Sequence, residues 1–341
     1  MAVALVVEAE VLGGYPRSER LRKTLRRLEE RAEEGFMDAL RVAWEDTVMI
    51  LGAQLGAGLR TVVDPVVDWH DPLRPFAEAW RGVAVDGLLR WFDNNFFYRI
   101  PVFTDMPDPK RLVLAPRVIQ IRRVLPGFAG LKVVLPGPVT FARLSRNNTG
   151  RSLEELAEAI AEILAREASK AAEAGAAVVQ VDEPFLADLD AGPDDAALAA
   201  ELDSRILSEA SSKGAATRLA IPYNVPEPQV YEKLLDVRAD YIVLDMADNP
   251  SKALGLLEAK GIGGHGLGAG VVQARDIYPD SYEKARDVLD RAVKAAGAEK
   301  LLITTSAWLD LIPLEYALEK TRILAGIAER YRGEGGRGGS S

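Results

Sequence analysis

The stretch KVVLPGPVTFARLS (132–145) decides the fold. Its first half is a continuous apolar run without alternation, the pattern of a strand buried on both faces, and strands of that kind belong to parallel sheets. The run stops at Pro136-Gly137-Pro138 and resumes as the first turn of a helix. A backbone that breaks this sharply at the carboxyl end of a strand either closes a tight loop or borders a ligand.

The same grammar repeats in both directions. Strands are expected at 3–8, 59–65, 113–115, 132–136, 177–182, 217–221, 240–245, 265–272 and 301–305. Helices are expected at 152–175, opened by Ser152 and closed by Gly175, and near 195–213, 227–236, 251–260, 281–296 and 314–331. Strands that alternate with helices, about eight or nine of them, imply a single α/β domain over 1–332, a (β/α)8 TIM barrel, with an open doubly wound sheet as the alternative. The first 110 residues depart from this rhythm. A long helix from Ser18 to Leu55 and Pro- and Trp-rich loops at 64–76 and 91–101 read as insertions over the barrel mouth. The tail 333–341, GEGGRGGSS, reads as disordered.

Composition narrows the chemistry. A net charge of −9 over 341 residues argues against a nucleic-acid or anionic-membrane partner, because phosphate binding needs a basic surface. The absence of Cys excludes disulfides, thiolate nucleophiles and sulfur-ligated metals. No run reaches the roughly 20 apolar residues of a membrane span, and the amino terminus lacks a basic n-region, so a cytoplasmic location is expected.

Several candidate site residues follow from strand ends. VVQVDEPFLADLD (178–190) finishes a buried strand on Asp182 and Glu183, two carboxylates able to bind an amine, act as acid and base, or cap the next helix. GGYPRSER (13–20) presents Arg17 for a carboxylate or phosphate, or simply turns into a helix capped by Ser18. WFDNNFFYRIP (91–101) gathers Asn94 and Asn95 among aromatics, suited to a flat ring or to packing on the barrel. In GVVQARDIYPD (270–280), Arg275 follows a strand directly and has Asp276 beside it as a local partner. The glycines of 261–270 follow a helix rather than a strand and are not a dinucleotide fingerprint. His70 and His265 are the only imidazoles, and whether either joins Asp245 in an oxygen- and nitrogen-ligated metal site is a question for the tertiary structure.

Taken together, YPRSER (15–20), LPGPVTFARLS (135–145), QVDEPFL (180–186), GVVQARDIY (270–278), WFDNNFFYRIP and TTSAWLDLIPLEYALEK (304–320) resemble, in order, motifs of the cobalamin-independent methionine synthases, and specifically their amino-terminal barrel. The resemblance implies a (β/α)8 barrel whose mouth, with Thr140 and Ser145 in its neighbourhood, belongs to methyl transfer to homocysteine, with methylfolate or methylcobalamin as the donor. The zinc places of that family's catalytic barrel read here Ala220, Pro222, Asp245 and Ala307. Three of these cannot ligate zinc, so zinc is not expected in this chain, and a separate zinc-bearing catalytic chain is the implied partner. A non-catalytic binding or scaffold subunit, and a zinc-free enzyme using Asp182 and Glu183, are the alternatives. An apolar patch at the mouth is expected if two barrels close on one another there.

Overall fold

The computed structural model describes residues 5–31 and 35–335. Eight parallel strands form the barrel wall: β1 (Val6–Ala9), β2 (Thr61–Val63), β5 (Gly130–Pro136), β7 (Val178–Asp182), β8 (Ala216–Ile221), β9 (Tyr241–Asp245), β10 (Gly266–Val272) and β11 (Lys300–Thr305). Their order is β1-β11-β10-β9-β8-β7-β5-β2. Among the described residues no ladder joins β2 to β1; the Tyr15 amide donates to the Pro65 carbonyl across that seam at 3.0 Å, so the barrel is nearly closed. A second sheet, β3 (Trp80–Arg90), β4 (Phe97–Pro109) and β6 (Arg146–Asn147), stands beside it.

The helices are α1 (Glu19–Arg31), α2 (Phe36–Gly56), α3 (Arg74–Ala79), α4 (Leu114–Arg122), α5 (Pro138–Arg143), α6 (Leu153–Glu173), α7 (Pro193–Ser211), α8 (Pro228–Leu234), α9 (Pro250–Lys260), α10 (Tyr282–Ala296) and α11 (Leu314–Gly335). Helix α6 opens on a capping box: the Glu155 amide donates to Ser152 Oγ and the Ser152 amide to Glu155 Oε2. Among the described residues no helix is long and apolar enough to cross a membrane.

The barrel interior explains the glycine run of β10. A Cβ on Gly266 would lie 2.5 Å from the Tyr241 ring, and one on Gly268 2.5 Å from Val243 Cγ2. Large side chains on β9 therefore require bare backbone on β10.

Four sequence expectations are corrected. Residues 113–115 are not a strand: the amides of Val113 and Leu114 donate to the Glu167 carboxylate at 2.8 and 3.0 Å, which starts α4 there. The single helix over 18–55 is two, α1 and α2, and Gly35, with φ 122°, precedes the second. Residues 91–101 are not simply a loop but the turn and first rungs of the β3–β4 hairpin. Finally, 333–335 continue α11, while 336–341, like residues 3 and 4 of the first expected strand, lie outside the described residues.

Candidate functional site

The carboxyl ends of the strands converge on Asp182, the last residue of β7. Its carboxylate accepts from Gln180 Nε2 at 2.6 Å and from the indole Nε1 of Trp308 at 2.8 Å. Burial raises its pKa to about 6, against the opposing pull of these two bonds and of Lys132. Trp308 fits because Gly13 is bare: a Cβ there would stand 2.0 Å from the indole nitrogen. The space left between Trp69, Trp91, Thr140, Asp182, Tyr223 and Trp308 is about 10 Å³, room for a single water.

Glu183 points elsewhere. Its two oxygens accept from the amides of Val139 and Thr140 at 2.9 and 2.7 Å, so it anchors the start of α5. It therefore caps the helix that follows β5 in the chain rather than the one after β7, because the parallel register sets Pro136 beside Asp182. Burial raises its pKa to about 7. Thr140 completes the junction by accepting the Phe185 amide at 3.1 Å, whereas Ser145 only donates to the Phe141 carbonyl. Gly137 is required here, since a Cβ would fall 2.0 Å from Glu183 Cδ. We expect Gly137→Ala to cost about 1–3 kcal/mol in urea denaturation, the usual price of overpacking a tight core. A neutral outcome would remove Glu183 from its anchoring role.

The remaining expected residues hold loops. Arg17 donates to the carbonyls of Val67 and Trp69 at 2.9 and 2.5 Å and so stitches the first insertion to the end of β1. Arg275 reaches the Tyr223 and Asp93 carbonyls and the Asp248 carboxylate, pinning the hairpin turn over the mouth. Asn94 is buried and bonds back to the Trp91 carbonyl, while Asn95 is exposed. Exposed apolar side chains do occur on the mouth loops and the hairpin, among them Leu89, Phe97, Leu189 and Tyr278.

Sequence reading missed the polar layer beneath Asp182. Lys132 Nζ donates to Glu10 Oε1 at 2.9 Å and to Gln180 Oε1 at 3.1 Å, with both charged groups fully buried. Arg218 lies 3.6 Å from the same Glu10 oxygen and bonds Glu8 at 3.1 Å. Burial alone would raise the Glu10 pKa, but Lys132 and Arg218 hold it below the usual carboxylate range. The available signal was Lys132 and Arg218 inside apolar strand runs and Glu10 just beyond the end of a third.

The family model described as "Cobalamin-independent synthase, N-terminal domain" matches residues 78–297, well over half of the chain. The chain belongs to the cobalamin-independent methionine synthase family. It is 30% identical over 94% of its length to the "Methionine synthase" of Methanothermobacter marburgensis, 99% of which is covered. It is also 30% identical, over 65% of its length, to the "5-methyltetrahydropteroyltriglutamate--homocysteine methyltransferase" of Bifidobacterium adolescentis, but spans only 29% of that enzyme. A B12-independent methionine synthase from Shewanella sp. W3-18-1 shares its fold, with a TM-score of 0.79 at 21% identity over 97% of this chain and 99% of that one.

Within this methionine synthase family member, two of the positions that the motif resemblance matched to zinc ligands, Ala220 and Asp245, have other roles. Ala220 is packed in the barrel interior with Leu12, Tyr241, Val243 and Leu302. Asp245 closes a local turn by accepting the amides of Ala247 and Asp248, and burial raises its pKa to about 7. His265 cannot join it: its ring nitrogens lie on the Ala239 and Leu235 carbonyls just before β10, at the opposite end of the wall. His70 sits on the loop between β2 and α3, and no group of three His, Cys, Asp or Glu suited to a metal occurs among the described residues.

Proposed function

We propose that this chain takes part in methyl transfer to homocysteine, in methionine biosynthesis, beside a separate zinc-bearing catalytic chain. The observation that carries the reading is the pairing of family membership with a mouth built on Asp182 and lacking His, Cys or Glu at the corresponding zinc positions. A homocysteine thiol with an ordinary pKa near ~8.5 is only slightly ionised at neutral pH, so its activation falls to the partner's zinc. On this reading the substrate is a small molecule, with methylfolate or methylcobalamin as donor.

A binding or scaffold subunit is the second reading, and the nearly filled space at Asp182 favours it. A zinc-free acid–base pair of Asp182 and Glu183 has less support, because both Glu183 oxygens already serve α5.

The deciding assay follows methionine formation from homocysteine with the chain alone and with a zinc-bearing synthase chain, offering each donor in turn. Product only in the presence of the partner, above the partner's own rate, is the expected result. Product from the chain alone would overturn the division of labour, and no stimulation with either donor would leave the binding subunit as the better reading.

A further inference from the structure

We propose that the barrel mouth is a binding site for a methylated onium cation, a quaternary ammonium or sulfonium, seated against Asp182 within a wall formed by Trp69, Trp91, Tyr223 and Trp308. The lining has few polar members. Besides Asp182, its side-chain acceptors are the hydroxyls of Tyr223 and of Thr140, the latter already accepting the Phe185 amide. A primary ammonium carries three N–H donors and would leave some unpaired in such a wall. An onium carries none, and aromatic faces attract it directly. The two hydrogen-bond donors of the Asp182 carboxylate, Gln180 and Trp308, are neutral, and the Lys132 ammonium that also pulls on it is bonded to Glu10 and Gln180 in the layer beneath.

The closed space is too small for such a ligand, but only Trp69, Pro72 and Trp308 line both it and an open neighbour. Trp308 lines both this space and an open groove of about 350 Å³ bordered by Gly14, Arg17, Val66 and Asp310. Turning the indole into the groove joins the two and takes its N–H off Asp182. Asp310 offers a second acceptor there, with one carboxylate oxygen buried and unpartnered. The mouth also carries the three non-glycine residues with positive φ among those described, Val66 at 45°, Phe92 at 49° and Tyr223 at 74°. Held strain of this kind is typical of ligand clamps.

The test titrates the purified chain with tetramethylammonium and with choline, against the neutral isostere 3,3-dimethylbutan-1-ol, following tryptophan emission with sodium chloride as the ionic-strength blank. The cations are expected to saturate the signal and the alcohol to bind at least about tenfold more weakly, the ratio set by one cation–π or ionic contact. Asp182→Asn should weaken cation binding by a similar factor. Trp308→Phe keeps an aromatic face but removes the competing N–H, so it should bind the cations more tightly, an effect a merely structural role would not produce. Equal affinity for alcohol and cation, no saturation beyond the salt blank, or unchanged affinity in a folded Asp182→Asn protein would each overturn the proposal. If Asp182→Asn does not fold, Trp91→Leu on the hairpin turn replaces it, with weaker cation binding expected and unchanged binding counting against the site. The titration needs neither homocysteine nor a partner chain, so its outcome is independent of the transfer assay.

Discussion

Replacing Lys132 by methionine is expected to destabilise the protein by about 3–5 kcal/mol, the loss typical of breaking a buried ion pair from one side. Its ammonium is the direct partner of the buried Glu10 carboxylate and also holds the Gln180 carbonyl oxygen. Without it, Glu10 retains only the longer contact to Arg218 at 3.6 Å. Adding Glu10→Gln to Lys132→Met should recover a large part of the loss, because the uncompensated carboxylate is then gone. The substitution should also be felt at the mouth. Gln180 presents its amide nitrogen to Asp182 and to the Leu12 carbonyl because its oxygen is held by Lys132, so freeing that oxygen loosens the support of Asp182. Urea denaturation of the single and double variants measures both effects, and a neutral Lys132→Met would show that the interior pair contributes nothing to folding.

The second large effect is a loss of stability as pH rises. Burial raises the pKa of Asp182 to about 6, of Glu183, Asp245 and Asp310 to about 7, and of Asp203 well above the usual carboxylate range. A carboxyl whose folded pKa exceeds its unfolded value binds more proton in the native state. Its stabilisation is complete below the unfolded pKa and is lost as pH rises through the folded one. Stability should therefore fall between about pH 5 and pH 8, by at least about 3 kcal/mol, the contribution of one carboxyl shifted by two units. On the acid side the curve should turn over where Glu10, held low by Lys132 and Arg218, is protonated. Asp203 gives the control. Both its oxygens are buried without a hydrogen-bond partner, and Glu183 adds repulsion, so Asp203→Asn should stabilise the protein at pH 8 and flatten the slope. Chemical denaturation across this range is the measurement; a flat or rising profile would contradict the assignment of these carboxyls as proton-binding in the fold.

The strands at 132–136, 217–221, 240–245 and 301–305 were legible because a parallel barrel buries both faces of each strand, and that leaves an uninterrupted apolar run in the sequence. The β3–β4 hairpin was not, because its strands carry Gly82 and Gly87 at positive φ and Pro101, Pro107 and Pro109, which local reading assigns to loops. Val113–Ala115 misled in the opposite sense: three apolar residues look the same at the start of a helix as in a strand, and Glu167, 54 positions away, decides between them.

Family motifs and strand ends alone drew attention to Asp182, Glu183, Thr140, Arg17 and Arg275, and to Ala220, Pro222 and Ala307 at three of the four places matched to zinc ligands. What each of them does was decided by tertiary structure. Asp182 and Glu183 are adjacent in sequence, yet successive side chains of a strand point to opposite faces. One meets Trp308, 126 residues away, and the other meets the amides of Val139 and Thr140 on the neighbouring segment. Periodicity records which residues are buried, and so it determined the barrel. It carries no record of which distant side chain closes a carboxylate's remaining hydrogen bonds, and at this mouth that partner is what separates the surroundings of Asp182 from those of Glu183.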